Sequence, residues 1–422
     1  MLSWFSELTL RERRTMAACF GGWALDALDV QIFSFVIPTL LSLWHISSGQ
    51  AGELATITLL VSAFGGWLGG ALADRYGRMR VLQVTIVWYA VFTFLCGFAQ
   101  NYAQLFVFRA LQGIGFGGEW AAGAVLMGEV IRDRFRGRAV GLVQTGWAFG
   151  WGGAAIAYTV LFAFIRPELA FRVLFWLGIL PALLVIWIRR NVAESDFAPR
   201  ETAAASGIGH VVSALRPPHL ATTWRLILMV VGAQGGSYAL ATWLPTYLKT
   251  VRHLTSVGAG SYLLVHILGA LCGFIAGSFL SDAIGRKPTF LISALGSMTM
   301  VLIYLMAPIG NDAILAVGFP LGFVIYMMFP PMGPFMTELF PSAVRGTGQG
   351  FCYNAGRGVG ALFPALVGWL TLQLGLGAAI VVFALFAYSL MVAGLTLLPE
   401  TRGRSLESLD ADARAQVPAP DS

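Results

Sequence analysis

Apolar runs of about 20 residues recur from one end of this chain to the other, separated by short polar connections. That pattern restricts the fold more than any single motif. A run of this length crosses the hydrocarbon of a bilayer as a helix, because only a helix satisfies its own backbone groups where water is absent. A barrel strand needs about half that length. The balance of residues agrees. Of 422 residues, 57% are hydrophobic and 11% are charged, with mean hydropathy +0.74. A soluble domain carries about 25% charge. The expected fold class is an all-α membrane protein.

Twelve transmembrane helices are predicted, at 15–43, 51–73, 81–100, 103–130, 139–164, 170–188, 225–248, 257–281, 289–307, 313–336, 347–372 and 376–398. An even number puts both ends of the chain on one face. The cations choose that face. Connections leaving even spans hold Arg75, Arg78 and Arg80, then Arg132, Arg134, Arg136 and Arg138, then Arg286, Lys287 and Arg345. The opposite connections hold only Arg166, Lys249 and Arg252. Both termini are therefore expected in the cytoplasm, with the protein in the plasma membrane, or the inner membrane of a bacterium. The net charge of +6 is a property of these loops and does not imply a nucleic-acid partner. Arg11, Arg13 and Arg14 precede a first run too long for a cleavable signal.

Four cysteines, Cys19, Cys96, Cys272 and Cys352, fall inside apolar spans, as small buried hydrophobes do. No disulfide, metal site or cofactor is expected. Nor does any nucleophile–base set appear, so the chain is not read as an enzyme. The expected units are a six-helix bundle over 1–188, a central loop over 189–224, a second six-helix bundle over 225–398 and a tail over 399–422. The loop carries Pro199, Pro217 and Pro218, and a short amphipathic helix is expected near 208–215. The tail is polar and expected to be disordered.

The two bundles repeat one charged loop. Gly70-Ala-Leu-Ala-Asp74-Arg75-Tyr-Gly77-Arg78 answers Ser278-Phe-Leu-Ser-Asp282-Ala-Ile-Gly285-Arg286 at a constant offset, with Ser278 in the place of Gly70. Asp74 suits a helix start, and Gly77 suits a turn with positive φ. Arg136-Gly137 answers Arg345-Gly346, and Glu194-Ser195 answers Glu400-Thr401. The pattern G-x-x-x-D-R-x-G-R, present in two copies half a chain apart, resembles the loop signature of the major facilitator superfamily. That resemblance implies two pseudo-symmetric six-helix bundles with a central binding cavity, and alternating access between the two faces. It also implies that Asp74, Arg75, Arg78, Arg136, Asp282, Arg286 and Arg345 gate the cytoplasmic side. Glu129 and Glu338 are expected to pair with Arg136 or Arg345 there.

Glycines recur every four residues in spans 2 and 8, at Gly65, Gly69 and Gly66, Gly70, then Gly269, Gly273 and Gly277. Spans 5 and 11 carry Gly146 and Gly150, then Gly356, Gly358 and Gly360. Small residues one turn apart let helices approach closely. In the resembled family, spans 2, 5, 8 and 11 form the moving contacts between the halves.

Charges inside a span are costly and usually face a cavity or a partner. Asp26 and Asp29 lie three apart on one face of span 1, a pair suited to proton uptake and release. Span 4 carries Arg109, Gln112 and Glu119, with Glu119 near the depth of Asp26. Span 11 carries Asn354 and Arg357 close to the membrane middle. A guanidinium fork there suits a carboxylate. Gln234, Tyr238 and His266 are further mid-span candidates. Gly113, Gly115 and Gly118 match G-x-G-x-x-G, but they sit inside a membrane helix with no preceding strand, so dinucleotide binding is rejected.

The aspartate pair, the span-4 run and Gly356-Arg357-Gly358 together resemble the proton-coupled organic-acid symporters, nearest the sialate/lactate and aromatic-acid branches. The span-4 run is also similar to symporters of dicarboxylates and zwitterions. Ala27-Leu28 departs from the Gly-Phe that usually separates the aspartates of the aromatic-acid branch. The resemblance implies a small organic anion and protons as the transported species, with Asp26, Asp29 and Glu119 coupling protons. Arg109, Gln112, Arg357, Asn354, Gln234, Tyr238 and His266 would bind substrate. A monomer in the lipid bilayer is expected. The alternatives are a proton-coupled exporter, a sugar or metabolite facilitator, or a transporter-like receptor that binds without moving its ligand.

Overall fold

The computed structural model describes residues 3–191, 219–341 and 345–403. The helix expected near 208–215, Glu194 and the tail beyond 403 lie outside them, as do the side chains of Asp74, Arg78, Glu119, Glu129 and Arg136. Every regular element among the described residues is a helix.

Twelve spans result. Span 1 is Leu10–Leu43, span 2 Ser48–Tyr76, span 3 Arg78–Cys96, span 4 Tyr102–Val130 and span 5 Asp133–Phe164. Span 6 is split into Pro167–Leu177 and Leu180–Asn191. The second half begins with span 7 at Leu220–Thr250, span 8 at Ser256–Ile284 and span 9 at Arg286–Met306. Span 10 is split into Asn311–Tyr326 and Phe329–Thr337, and span 11 into Arg345–Gly360 and Phe363–Leu374; span 12 is Leu376–Thr396. The three splits depart from the continuous helices predicted. Pro181, Pro330, Pro331 and Pro364 stand in the first turn of each second piece. Proline has no N–H and its ring crowds the turn before it, so the ladder stops there. Pro38 and Pro245 sit inside spans 1 and 7 without dividing them.

Spans 1–6 and 7–12 form the two bundles. Across the halves, span 1 packs on span 7, span 2 on span 11 and span 5 on span 8. The glycine rows have two different uses. A Cβ at Gly269, Gly273 or Gly277 would overlap the carbonyls of Phe319, Phe323 and Met327 on span 10. Gly65, Gly113 and Gly117 join spans 2 and 4 in the same way, and Gly146 and Gly150 join span 5 to span 1. These rows weld helices inside one half. The contacts between halves use Gly52 and Gly368 on the face opposite the termini, and Gly66 against Asn354 deeper in.

The two related turns take related shapes. Gly77 and Gly285 precede spans 3 and 9 with φ of 93° and 110°, which a side chain would strain. Beside the second turn, Arg286 donates to Asp282 at 2.6 Å and to Glu338 at 3.0 Å. Glu338 therefore takes Arg286, not the expected Arg345, whose Nε donates to the Phe340 carbonyl at 3.1 Å. Glu400 covers the start of span 9, accepting from the backbone N–H of Arg286 at 3.0 Å and of Lys287 at 2.9 Å. It also accepts from the N–H of Thr401 and of Arg402, both at 2.9 Å. Burial alone would raise the Glu400 pKa, but these N–H donors outweigh it and hold it below the ordinary 4.5. At the N-terminal end, Glu12 closes a capping box with Thr9 and accepts from Arg132 Nε at 2.8 Å.

Candidate functional site

The buried polar groups fall into separate clusters around the line where the halves meet. The first lies wholly in the N-terminal half. Asp29 is 1% exposed, and its Oδ2 accepts from Thr93 Oγ1 at 2.7 Å and from Gln112 Nε2 at 2.5 Å. Gln112 Oε1 in turn accepts from Arg109 Nη1 at 3.0 Å. Arg109 Nε donates to the Leu54 carbonyl at 3.3 Å, and the guanidinium lies 4.1 Å from the centre of the Phe33 ring. One amide thus joins an acid on span 1 to a cation on span 4. Asp29, Gln112 and Arg109, each singled out separately in the sequence, meet here. Asp26 is fully buried one turn away on span 1. Thr93 was not foreseen, because a threonine inside an apolar span carries no distinguishing signal.

The second cluster lies between the halves. Arg357 is 2% exposed, and its guanidinium stands 4.5 Å from the centre of the Phe116 ring on span 4. Its Nε has no hydrogen-bond partner, and no carboxylate among the described residues pairs with it. Tyr238 hydrogen-bonds the guanidinium, and Tyr353 stands beside it, bonded to Gln234. Around Phe116 pack Val30, Leu59, Trp147, Tyr238 and Ala361, drawn from both halves. The result is an apolar, aromatic cluster with one permanent cation against it. Asn354 points elsewhere. Its Nδ2 donates to the Gly350 carbonyl at 2.9 Å, and its oxygen packs on Gly66 of span 2.

The third cluster is aromatic. His266, 1% exposed on span 8, meets the rings of Trp151 at 5.3 Å and Tyr326 at 6.2 Å, both edge-on. Arg75 is exposed over the ring of Tyr76, and Asp282 and Arg286 lie in the network with Glu338 described above.

Above these clusters, on the face opposite the termini, the halves bond directly. Ala365 sits in the first turn of the second piece of span 11, where backbone N–H groups lack a partner in their own helix. Its N–H donates across the divide to Thr56 Oγ1 at 3.1 Å. Trp243 Nε1 donates to the neighbouring Pro364 carbonyl at 3.0 Å. Glu53 accepts from Tyr102 at 2.6 Å and, across the divide, from Trp369 Nε1 at 3.1 Å. None of these residues stood out in the sequence, because their partners lie as many as 316 positions away.

Comparison with known proteins agrees with this architecture. The family model described as Major Facilitator Superfamily matches residues 19–364 and 269–420. A probable 4-methylmuconolactone transporter of Cupriavidus pinatubonensis is 42% identical over 98% of this chain and 97% of its own. A cis,cis-muconate transport protein of Acinetobacter baylyi is 28% identical over 86% of this chain and 89% of its own. Among solved structures, the xylose transporter of Escherichia coli in an inward open conformation superposes with TM-score 0.72 at 18% identity, over 94% of this chain and 98% of that one. With two six-helix bundles, a repeated charged turn and a family match over nearly its whole length, the chain belongs to the major facilitator superfamily, and it is a multi-pass membrane transport protein rather than an enzyme.

Proposed function

We propose that the protein is a proton-coupled symporter that carries a small organic anion across the plasma membrane by alternating access, with both termini in the cytoplasm. Arg357 is the observation that carries this reading. A permanent cation buried between the halves, with no acid paired to it among the described residues and an unused Nε, is compensated when a carboxylate enters. Phe116 and its apolar neighbours shield that ion pair from water, which strengthens it. The relatives named for muconate and methylmuconolactone carry cargo of this chemistry and support the assignment.

Proton coupling is assigned to Asp29, with Asp26 and Glu119 as further carriers. While Asp29 is ionised it holds both Gln112 and Thr93. On protonation it becomes a weaker acceptor and loosens Gln112, and with it the hold on Arg109. Proton and cation are thereby linked through one amide. The charged turns around Asp74 and Asp282 govern opening on the cytoplasmic side.

Ligand-dependent thermal stabilisation of the purified protein tests the anchor. Arg357→Ala should fold but lose stabilisation by organic acids, and Arg357→Lys should bind weakly, because the planar fork is gone. Wild-type affinity in a folded Arg357→Ala protein would refute the assignment.

A further inference from the structure

The third cluster contains polar atoms that the transport reading leaves unused. Trp151 is completely buried and His266 nearly so. The Trp151 indole N–H has no hydrogen-bond partner. His266 makes no close hydrogen bond from either ring nitrogen, and its imidazole lies against the Gly318 carbonyl. The two rings touch edge-on at 5.3 Å. Buried polar groups are almost always satisfied, because an orphaned donor is destabilising. An unpaired indole N–H beside a loosely held imidazole, on opposite halves of the molecule at span 5 and span 8, is therefore a site awaiting an acceptor.

Their position relates them to Arg357. Trp147 belongs to the cluster around Phe116 and lies one turn before Trp151 on the same face of span 5. Four residues of helix advance about 6 Å. Trp147 also packs on the large core cluster that contains Trp151. The aromatic wall is thus continuous from the cation at one end to the indole and imidazole at the other. A neutral imidazole donates one N–H, so the far end offers the indole N–H and, when it turns from the Gly318 carbonyl, the imidazole N–H, with no fixed charge.

We propose that Trp151 and His266 bind an oxygen acceptor at the distal end of the transported anion. The preferred substrate then carries a carboxylate at one end and a carbonyl, hydroxyl or second carboxyl at the other, separated by a flat apolar body. A simple apolar monocarboxylate engages Arg357 but leaves the Trp151 N–H unpaired. This assignment rests on Arg357 as the carboxylate anchor.

Matched probes separate the two ideas. trans,trans-Muconate and sorbate share a conjugated six-carbon chain and differ in the far carboxyl against a methyl. 4-Acetylbenzoate and 4-ethylbenzoate differ in a neutral carbonyl against a methylene. Binding of all four is measured by thermal stabilisation and calorimetry on the full-length detergent-solubilised protein. The wild type should prefer the oxygen-bearing member of at least one pair by roughly tenfold, the value of a buried hydrogen bond. His266→Leu and Trp151→Phe should erase that preference while leaving affinity for sorbate and 4-ethylbenzoate within about twofold. His266→Gln keeps an N–H donor and should retain part of it. Equal binding of both members of each pair by the wild type, or a preference that survives both variants, overturns the distal site alone. Wild-type affinity for all four acids in Arg357→Ala overturns the carboxylate anchor instead.

Discussion

Replacing Thr56 by valine should open the face opposite the termini. Valine has the shape of threonine without its hydroxyl, so packing is kept. Thr56 and Ala365 are 8% and 5% exposed, and the only bond removed between them is the 3.1 Å contact to the Ala365 N–H. That N–H belongs to the first turn of a helix preceded by Pro364, so no carbonyl of its own span replaces the hydroxyl. In the closed arrangement it is left buried and unsatisfied, at about 1–3 kcal/mol. Once the halves part, water reaches it and the penalty vanishes. The population ratio should therefore move toward the open arrangement by roughly 5- to 150-fold. Spin labels at positions 45 and 372, in a background without the native cysteines, report the distance across this face. The long-distance component should grow in Thr56→Val relative to its parent. A distance distribution identical to the parent in a folded variant would show that this bond does not hold the face shut. Trp369→Phe removes the neighbouring bond to Glu53, but Trp369 is 51% exposed, so the shift should be smaller, about 1 kcal/mol or less.

Asp29→Asn should abolish pH-driven accumulation in proteoliposomes while sparing exchange between loaded compartments; full accumulation would remove Asp29 from coupling. Gly117→Val forces a side chain onto the Ser62 carbonyl and should cost folded yield, by about 1–3 kcal/mol or more, whereas Gly310→Ala meets nothing within 4 Å and should be silent in the same thermal assay. The Glu400 clamp has a pH signature. Its lowered pKa means its contribution is complete above about 4.5 and fades as pH falls below that toward the folded value. Glu400→Gln should therefore flatten the acid limb of the stability profile below pH 4.5, and an unchanged limb would count against the clamp.

Much of this protein could be read without coordinates. Twelve spans, one helical class and two related halves follow from run length and an internal repeat, since both are local properties of the chain. So does the identity of the buried charges: Asp26, Asp29, Arg109 and Arg357 are conspicuous because lipid tolerates so few. That Asp29, Gln112 and Arg109 would meet was not legible, since the depth argument had set Glu119 beside Asp26 instead. The glycine rows were legible as close packing, but not as welds within a half, because a row of glycines does not name the helix it meets.

What the sequence by itself determined was how many helices cross the membrane and which polar groups enter it. Tertiary structure decided which of those groups meet. Pro364 breaks span 11 and Pro245 leaves span 7 whole, although the two residues are chemically identical; the broken helix is tolerated where Thr56 and Trp243 receive its freed backbone groups. Glu338 takes Arg286, 52 positions away, over Arg345 seven positions on, because folding brings the turn before span 9 against the end of span 10. Arg109 and Arg357 look alike as lone arginines in apolar spans, yet Arg109 is held by Gln112, Leu54 and Phe33 while Arg357 keeps a free Nε between the halves. Periodicity and hydropathy are sums over neighbours in the chain. Partnership in a membrane is a choice among distant helices, made by whichever packing leaves the fewest polar groups without an acceptor or donor.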